Sequence, residues 1–598
     1  MKVISQNLIL AWVLFIVYSD CLNAQKSEEF QTWWERSGFT ETPRYEQTIE
    51  FCKKLAEASP VISYHVFGTS PQGRDLPLLI LDKDGFITPE EVNRNGKIKL
   101  LIQGCVHAGE SEGKDAGLVL FRDIAINHKN LNLDSITILF IPIFNVDGHE
   151  RFTPFSRINQ NGPKEAGWRT TATNLNLNRD YLKADAPEMQ AWLRLFNAWD
   201  PDFFIDCHTT DGADYQYPVT IEYDGYNHES LQQWLSQTYA PEFDELMEKS
   251  GSPVFNYVSF REWHDPRSGL VDNIPSPRFS TGYVTARNRF GLLIETHMLK
   301  DYQTRVLGTY HVFESTLIIL AREKSRIKAI IRSADNFTAS GEFRSEPCLL
   351  ECLPSMTDSI MVNFRGIDYS IVKSDLTGGN WYQYHGKPMD FVIPLFNKQI
   401  PSVLVHLPEA YIIPAEWKEI INRLGFHGIH YEVLAEPMKI PVETYRFSEP
   451  QWTGEPYEGR QILESFVTDT VVTQMNYAKG SAVVKTSQPT ARLIAFMFEP
   501  STEESFLKWG FFNAVFEQKE YAEAYVMEKM AREMIQKDPG LVTLFNKFKA
   551  ENPEIASNSY AQLQWFYRRS PYYDQSLGLY PVGKVYSEEV LKALRLGK

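Results

Sequence analysis

Four short apolar runs constrain this chain more than any other feature. Ile98–Ile102 (IKLLI), Ile136–Ile143 (ITILFIPI), Phe203–Cys207 (FFIDC) and Gly291–Ile294 (GLLI) have strand length and read as strands buried on both faces. Helical patterns fall between them: one begins near Gly113, others cover Pro187–Trp199 and Leu231–Lys249, and a long one runs from about Tyr302 to Arg332. Two earlier segments, Val61–Gly68 and Leu76–Leu81, alternate around the turn Ser70-Pro71-Gln72-Gly73. Strands alternating with helices predict an α/β fold with a mixed, mostly parallel sheet and helices on both faces.

At 598 residues the chain exceeds a single hydrophobic core. After Ala339 the texture changes: Met361–Val372, Phe391–Phe396 and Arg492–Phe498 read as strands, and Ser402–Leu434 reads strand, helix, strand. Helical stretches are expected near Glu503–Gln536 and Gly540–Glu551. The expected division is a targeting segment over 1–24, an α/β domain over 25–338, and a β-rich, partly helical C-terminal region over 339–598.

Lys2, the apolar stretch Leu8–Val17 and the small residue Ala24 have the order of a signal peptide cleaved before Gln25. No later window is apolar enough to span a bilayer. The mature chain is therefore expected to be exported, to a periplasm or outside the cell, with no membrane span. A net charge of −16 offers no basic surface to neutralise phosphates, which argues against nucleic acid as a partner. Beyond Cys21 five cysteines remain, an odd number, so at least one thiol is free or pairs with another molecule, and Cys348 and Cys352 are near enough in sequence to bridge. Cys105 and Cys207 end apolar strands and read as small buried hydrophobes.

Each apolar run stops at polar punctuation that carries chemistry: His107 and Glu110, Asn145 and Asp147, His208, and Glu295. Ligands of open α/β sheets bind at the carboxyl ends of strands, so these groups are expected to share one cleft. A single such residue has a bland explanation, a polar turn or a carboxylate at a helix start; four strand ends do not share one. A catalytic zinc site takes three protein ligands and leaves a position for water. His107, Glu110 and His208 are the candidate ligands of one zinc ion, and Glu295, ending a buried strand, is the candidate general base, with His297 its rival.

Taken in order, these residues resemble the M14 family of zinc carboxypeptidases, of an exported bacterial type, over roughly residues 30–330. Asn145-Val146-Asp147-Gly148, Leu177-Asn178-Arg179-Asp180 and Ala186-Pro187-Glu188 are similar to further motifs of that family. The resemblance implies that His107, Glu110 and His208 bind zinc and that Glu295 activates water. It also implies that Asn178 and Arg179 grip the free C-terminal carboxylate of a peptide or protein, a bidentate task suited to guanidinium. Arg169 is the implied oxyanion arginine and Tyr283 the implied substrate-capping tyrosine. The sequence departs from the digestive members at two places. Gly109 stands where they carry an arginine, and Asn176 stands where an aspartate orients the first zinc histidine. The expected activity is metallocarboxypeptidase hydrolysis of C-terminal peptide bonds. Its alternatives are a zinc amidase or peptidase acting on cell-wall peptides, and an inactive binding protein on a peptidase scaffold.

Overall fold

A computed structural model describes residues 29–597; the expected targeting segment and Cys21 lie outside the described residues. The central element is an eight-stranded sheet in the order β1-β2-β4-β3-β5-β10-β6-β7. Its strands are β1 (Ile62–Thr69), β2 (Asp75–Leu81), β3 (Ile98–Gln103), β4 (Ile136–Ile141), β5 (Phe203–Thr209), β6 (Val219–Glu222), β7 (Val254–Asn256) and β10 (Phe290–Thr296). A hairpin, β8 (Ser259–Glu262) and β9 (Asp265–Val271), projects from the same region. The four middle strands β4, β3, β5 and β10 run parallel and are flanked by antiparallel pairings to β2 on one side and β6 on the other, with β7 parallel to β6 at the edge. The sheet is thus mixed with a parallel centre, as the apolar runs predict.

Strand alternation divides the core. Leu100, Ile102, Ile138, Phe140, Phe203 and Ile205 face one layer, built with α1 (Tyr45–Ala58), α2 (Glu112–Ala125) and α5 (Tyr302–Thr338). Leu101, Leu139, Ile141 and Phe204 face the other, where α3 (Pro187–Trp199) is joined by side chains from the C-terminal region such as Ile420, Leu424 and Leu493. Helices cover both faces, but the second is completed by chain beyond residue 400. Close approach of α2 to the sheet requires glycine: a Cβ on Gly113 would lie 2.4 Å from Cys207 Cβ. Between Glu229 and Lys249 the expected helix is interrupted by a π-helical turn over Leu235–Tyr239.

Beyond Thr338 the chain forms three further sheets. A two-stranded ribbon pairs β11 (Cys348–Pro354) with β14 (Gln399–Val405). The long hairpin of β12 (Ile360–Lys373) and β13 (Asn380–Phe396) continues onto β9, with Leu395 opposite Leu270 and Phe396 opposite Val271. A seven-stranded sheet contains β15 (Ala410–Ile413), β16 (Glu432–Leu434) and the hairpin of β17 (Met438–Trp452) and β18 (Leu463–Tyr477). Two expectations fail here: the helix expected near Glu503–Gln536 begins only at Ala524, and the strand expected at Arg492–Phe498 does not form. Arg492–Phe498 lies within a helix, Ala491–Phe498, not a strand. Every side chain of that segment except Arg492 is buried, and periodicity cannot separate a helix buried all round from a buried strand. Cys348 and Cys352 are free. Four residues apart on one extended strand, they stand about 13 Å apart, too far to bridge.

Candidate active site

The carboxyl ends of β3, β5 and β10 bring three sequence-distant segments together. His107 and Glu110 occupy the turn between β3 and α2, and His208 and Glu295 sit near the ends of the neighbouring parallel strands β5 and β10, directly opposite each other in register. Strand spacing alone therefore holds the last two about 5 Å apart at the backbone.

One ligand atom from each of His107, Glu110 and His208 lies within 4.8 Å of the others. Glu110 Oε1 is 3.0 Å from His107 Nδ1, Glu110 Oε2 is 2.9 Å from His208 Nδ1, and the two Nδ1 atoms are 3.2 Å apart. Both rings are anchored from behind: His107 Nε2 is 3.1 Å from Asn176 Oδ1, and His208 Nε2 is 2.9 Å from Asp206 Oδ2. A proton on each Nε2 donates to that anchor and leaves both Nδ1 lone pairs aimed at the same point as the carboxylate. Three converging donors, buried and fixed from behind, fit a divalent metal ion, with two imidazoles and one carboxylate suiting zinc.

Asn176, in the place of an aspartate, still accepts a hydrogen bond from His107. Asp206 was not singled out in the sequence, yet a carboxylate two residues before His208 in a strand must share its face. Ser280 Oγ donates to the same Asp206 oxygen at 2.5 Å. Arg157 was also missed, and no local pattern marks it. Its Nη2 donates to Glu110 Oε1 at 2.6 Å. The departure at Gly109 has its explanation here, because a Cβ there would lie 2.6 Å from Arg157 Cγ. The alkyl stem of Arg157 and the Gly167 carbonyl oxygen, 2.5 Å from the same point, occupy that space.

The electrostatics follow from burial and these pairs. Burial opposes ionisation of Glu110, but His107 and Arg157 outweigh it and hold the carboxyl well below its usual range. Burial pushes His107 down to about 4. His208 is raised despite burial because Asp206 and Glu110 flank it. Glu295 is lifted to about 8, by burial first, with His208 opposing and the nearby Glu110 carboxylate adding to the rise.

A cavity of about 490 Å³ opens onto this set and is lined by His107, Glu110, His208, Glu295, Arg169, Asn178 and Arg179. The Arg169 guanidinium stands 3.7 Å from Glu110 Oε1 and is 41% exposed. Asn178 Oδ1 is buried and has no partner among the described residues. Arg179 lies 4.5 Å over the Phe279 ring, its Nη1 donating to Asn178 O at 2.8 Å. The rival base His297 is engaged elsewhere, with Nε2 3.1 Å from both Asp214 Oδ1 and the Tyr215 amide.

Tyr283 is a correction. It is fully buried in the short helix α4 (Ser280–Thr285), among Trp192 and Phe196, and its hydroxyl meets His427 Nδ1 at 2.9 Å and Arg287 Nη1 at 3.1 Å. It does not reach the cavity. The tyrosine that lines it is Tyr257, just past the end of β7.

Residues 48–261 match the family model Peptidase_M14, described as zinc carboxypeptidase. The chain is 25% identical over 487 residues to Carboxypeptidase 2 of Trichophyton rubrum, a match covering 79% of this chain and 84% of the relative. Carboxypeptidase 2 of Trichophyton equinum is 24% identical over 488 residues, with the same coverage. Among solved structures, carboxypeptidase A from Helicoverpa armigera is similar at 16% identity, covering 49% of this chain and 74% of that one, with a TM-score of 0.36. These curated relatives are fungal and give the bacterial half of the expectation no support. The family match and the relatives support zinc carboxypeptidase kinship and mark the protein as a metallopeptidase, a hydrolase.

Proposed function

We propose that this metallopeptidase is a zinc-dependent metallocarboxypeptidase, exported by its N-terminal segment, that removes residues from the free C-terminus of a peptide or protein. The observation that carries the reading is the convergence of both Nδ1 atoms and the Glu110 carboxylate, with Glu295 in register beside His208. His107, Glu110 and His208 would hold one zinc ion, which when bound supplies Lewis acidity to the scissile carbonyl and to water.

The chain's own groups do the rest. Glu295, in register beside His208, takes a proton from the attacking water as its carboxylate and returns it to the leaving amine. Arg169, reaching in from the partly exposed rim, offers donors to the oxyanion that develops on the carbonyl. Arg179 grips the terminal carboxylate, and the Asn178 side-chain amide, also on the cavity wall, offers its Nδ2 donors as a second polar contact.

The test compares one peptide with a free C-terminus and the same peptide amidated. Release of the terminal residue from the free peptide alone is expected. Equal cleavage of the amide would favour the amidase alternative. Zinc well below one equivalent, with no hydrolysis of either peptide after reconstitution, would favour the binding-protein alternative.

A further inference from the structure

The cavity contains a carboxylate that the reaction does not use. Glu222 stands opposite Leu293 in the antiparallel register of β6 and β10, just as Thr220 stands opposite Glu295. Opposed residues of such a pair share a face, so Glu222 points to the same side as the base, about 7 Å further along the strand. Both Glu222 and Leu293 line the cavity.

The Glu222 carboxylate accepts a hydrogen bond from Thr281 Oγ1 at 3.1 Å. Among the described residues no lysine, arginine or histidine pairs with it. The charged groups that bear on it most are Asp272, Asp224 and Glu295, all acidic. The arginines of the cavity, Arg169 and Arg179, are committed to the catalytic end. Burial raises Glu222 well above the usual carboxylate range and raises its neighbour Asp272 to about 7. Acidic groups withdrawn from water without a counter-cation are costly unless a ligand supplies one. Tyr257, close enough to feel both Glu295 and Glu222, contributes an aromatic wall to the same cavity. An alkyl stem can lie along such a wall while its charged head reaches past it.

We propose that Glu222 makes this protein selective for peptides ending in lysine or arginine, the terminal carboxylate held at Asn178 and Arg179 and the side-chain cation at Glu222. The assignment rests on the carboxypeptidase reading above and names its substrate class.

The experiment measures kcat/KM of the zinc-loaded full chain on N-blocked dipeptides ending in arginine, lysine, phenylalanine, leucine or glutamine. Arginine and lysine should exceed phenylalanine and leucine by roughly 10–100-fold, the range of a hydrogen-bonded charge pair. Glu222→Gln should shrink the arginine-to-phenylalanine ratio by a similar factor, and Asp272→Asn should shrink it less. Calorimetry offers a readout independent of turnover: free arginine should bind the wild-type protein more tightly than free phenylalanine, and Glu222→Gln should erase the difference. If terminal residues are released but phenylalanine or leucine is preferred, or the ratio survives in Glu222→Gln, this assignment is overturned while the carboxypeptidase reading stands. If no terminal residue is released from any peptide, the carboxypeptidase reading falls and takes this assignment with it. If Glu222→Gln does not fold, the wild-type profile and the Asp272→Asn ratio decide.

Discussion

The two halves of the molecule use polar residues differently. In the first half, strands buried along their whole length end abruptly in histidine and carboxylate groups, so each polar side chain is held by a rigid scaffold and removed from water. In the second, long hairpins such as β12–β13 and β17–β18 alternate buried and exposed positions. Many ion pairs there, such as Lys398 with Asp358, join exposed side chains and contribute little. The second half nevertheless touches the chemistry. At the tip of the β17–β18 hairpin, Glu458 Oε2 accepts from the backbone amide of Asn176 at 2.9 Å, and Asn176 is the residue behind His107. Glu458 does so with φ +47, a left-handed conformation that costs a non-glycine residue about 1–2 kcal/mol. Beside it Arg460 Nε and Nη2 donate to the two Asp185 oxygens at 2.7 and 2.6 Å. One half thus supplies the reacting groups, and the other fixes the loop that presents two of the substrate contacts.

That contrast can be attacked in order of expected effect. Glu295→Gln should fold, keep its metal and lose roughly 10³-fold or more in kcat. Near-normal turnover would remove the first half's claim to the chemistry. Asp206→Ala frees the His208 ring and should weaken zinc affinity by roughly 10–100-fold, read by competition with a chelator. An unchanged affinity would mean that the rear anchor is dispensable. Glu458→Ala should raise KM by roughly tenfold with a smaller change in kcat, since it moves a binding loop and leaves the base in place. Glu458→Gln, which keeps an acceptor oxygen, should recover most of the loss. If both variants match the wild type, the second half is only a cover.

The smallest effect is on stability. Glu188 is fully buried at the start of α3, neither oxygen has a partner among the described residues, and burial raises its carboxyl to about 7. The folded chain therefore holds this proton more tightly than the unfolded chain, where the group titrates near pH 4.3. Its contribution is fully present below that pH and is lost as pH rises through about 7. Glu188→Gln should flatten that part of the thermal-melting profile and raise the melting temperature above pH 7. Parallel profiles for the two proteins would contradict the burial argument.

How much of this was legible in the sequence depended on where each residue sat. His107, Glu110, His208 and Glu295 could be read because apolar runs locate strand ends and strand ends of a parallel sheet converge. Asp206 carried the same information, as a charge inside a buried run with its face fixed by the spacing to His208, and was overlooked. Arg157 carried none. It reaches Glu110 from an irregular loop, its alkyl stem passing through the space that Gly109 leaves open. Tyr283 was misplaced because a motif position says nothing about which way a helical side chain faces. Its helix turns it into the aromatic cluster around Trp192, away from the cavity. Whether Cys348 and Cys352 bridge was open in the sequence and is settled by geometry, since nearness in sequence becomes distance along an extended strand.

The pairing of β13 with β9 has a practical side. Anyone trimming this protein to a minimal enzyme would be tempted to stop after the long helix at Thr338. Such a cut strips a neighbour from β9 and uncovers Tyr215, Tyr217 and Leu270, which share one apolar cluster with Phe364, Phe391 and Leu395. A bare strand edge beside a bare greasy surface invites self-association. The shortened product should therefore be recovered as aggregate, and a workable smaller version must carry the β12–β13 hairpin with it.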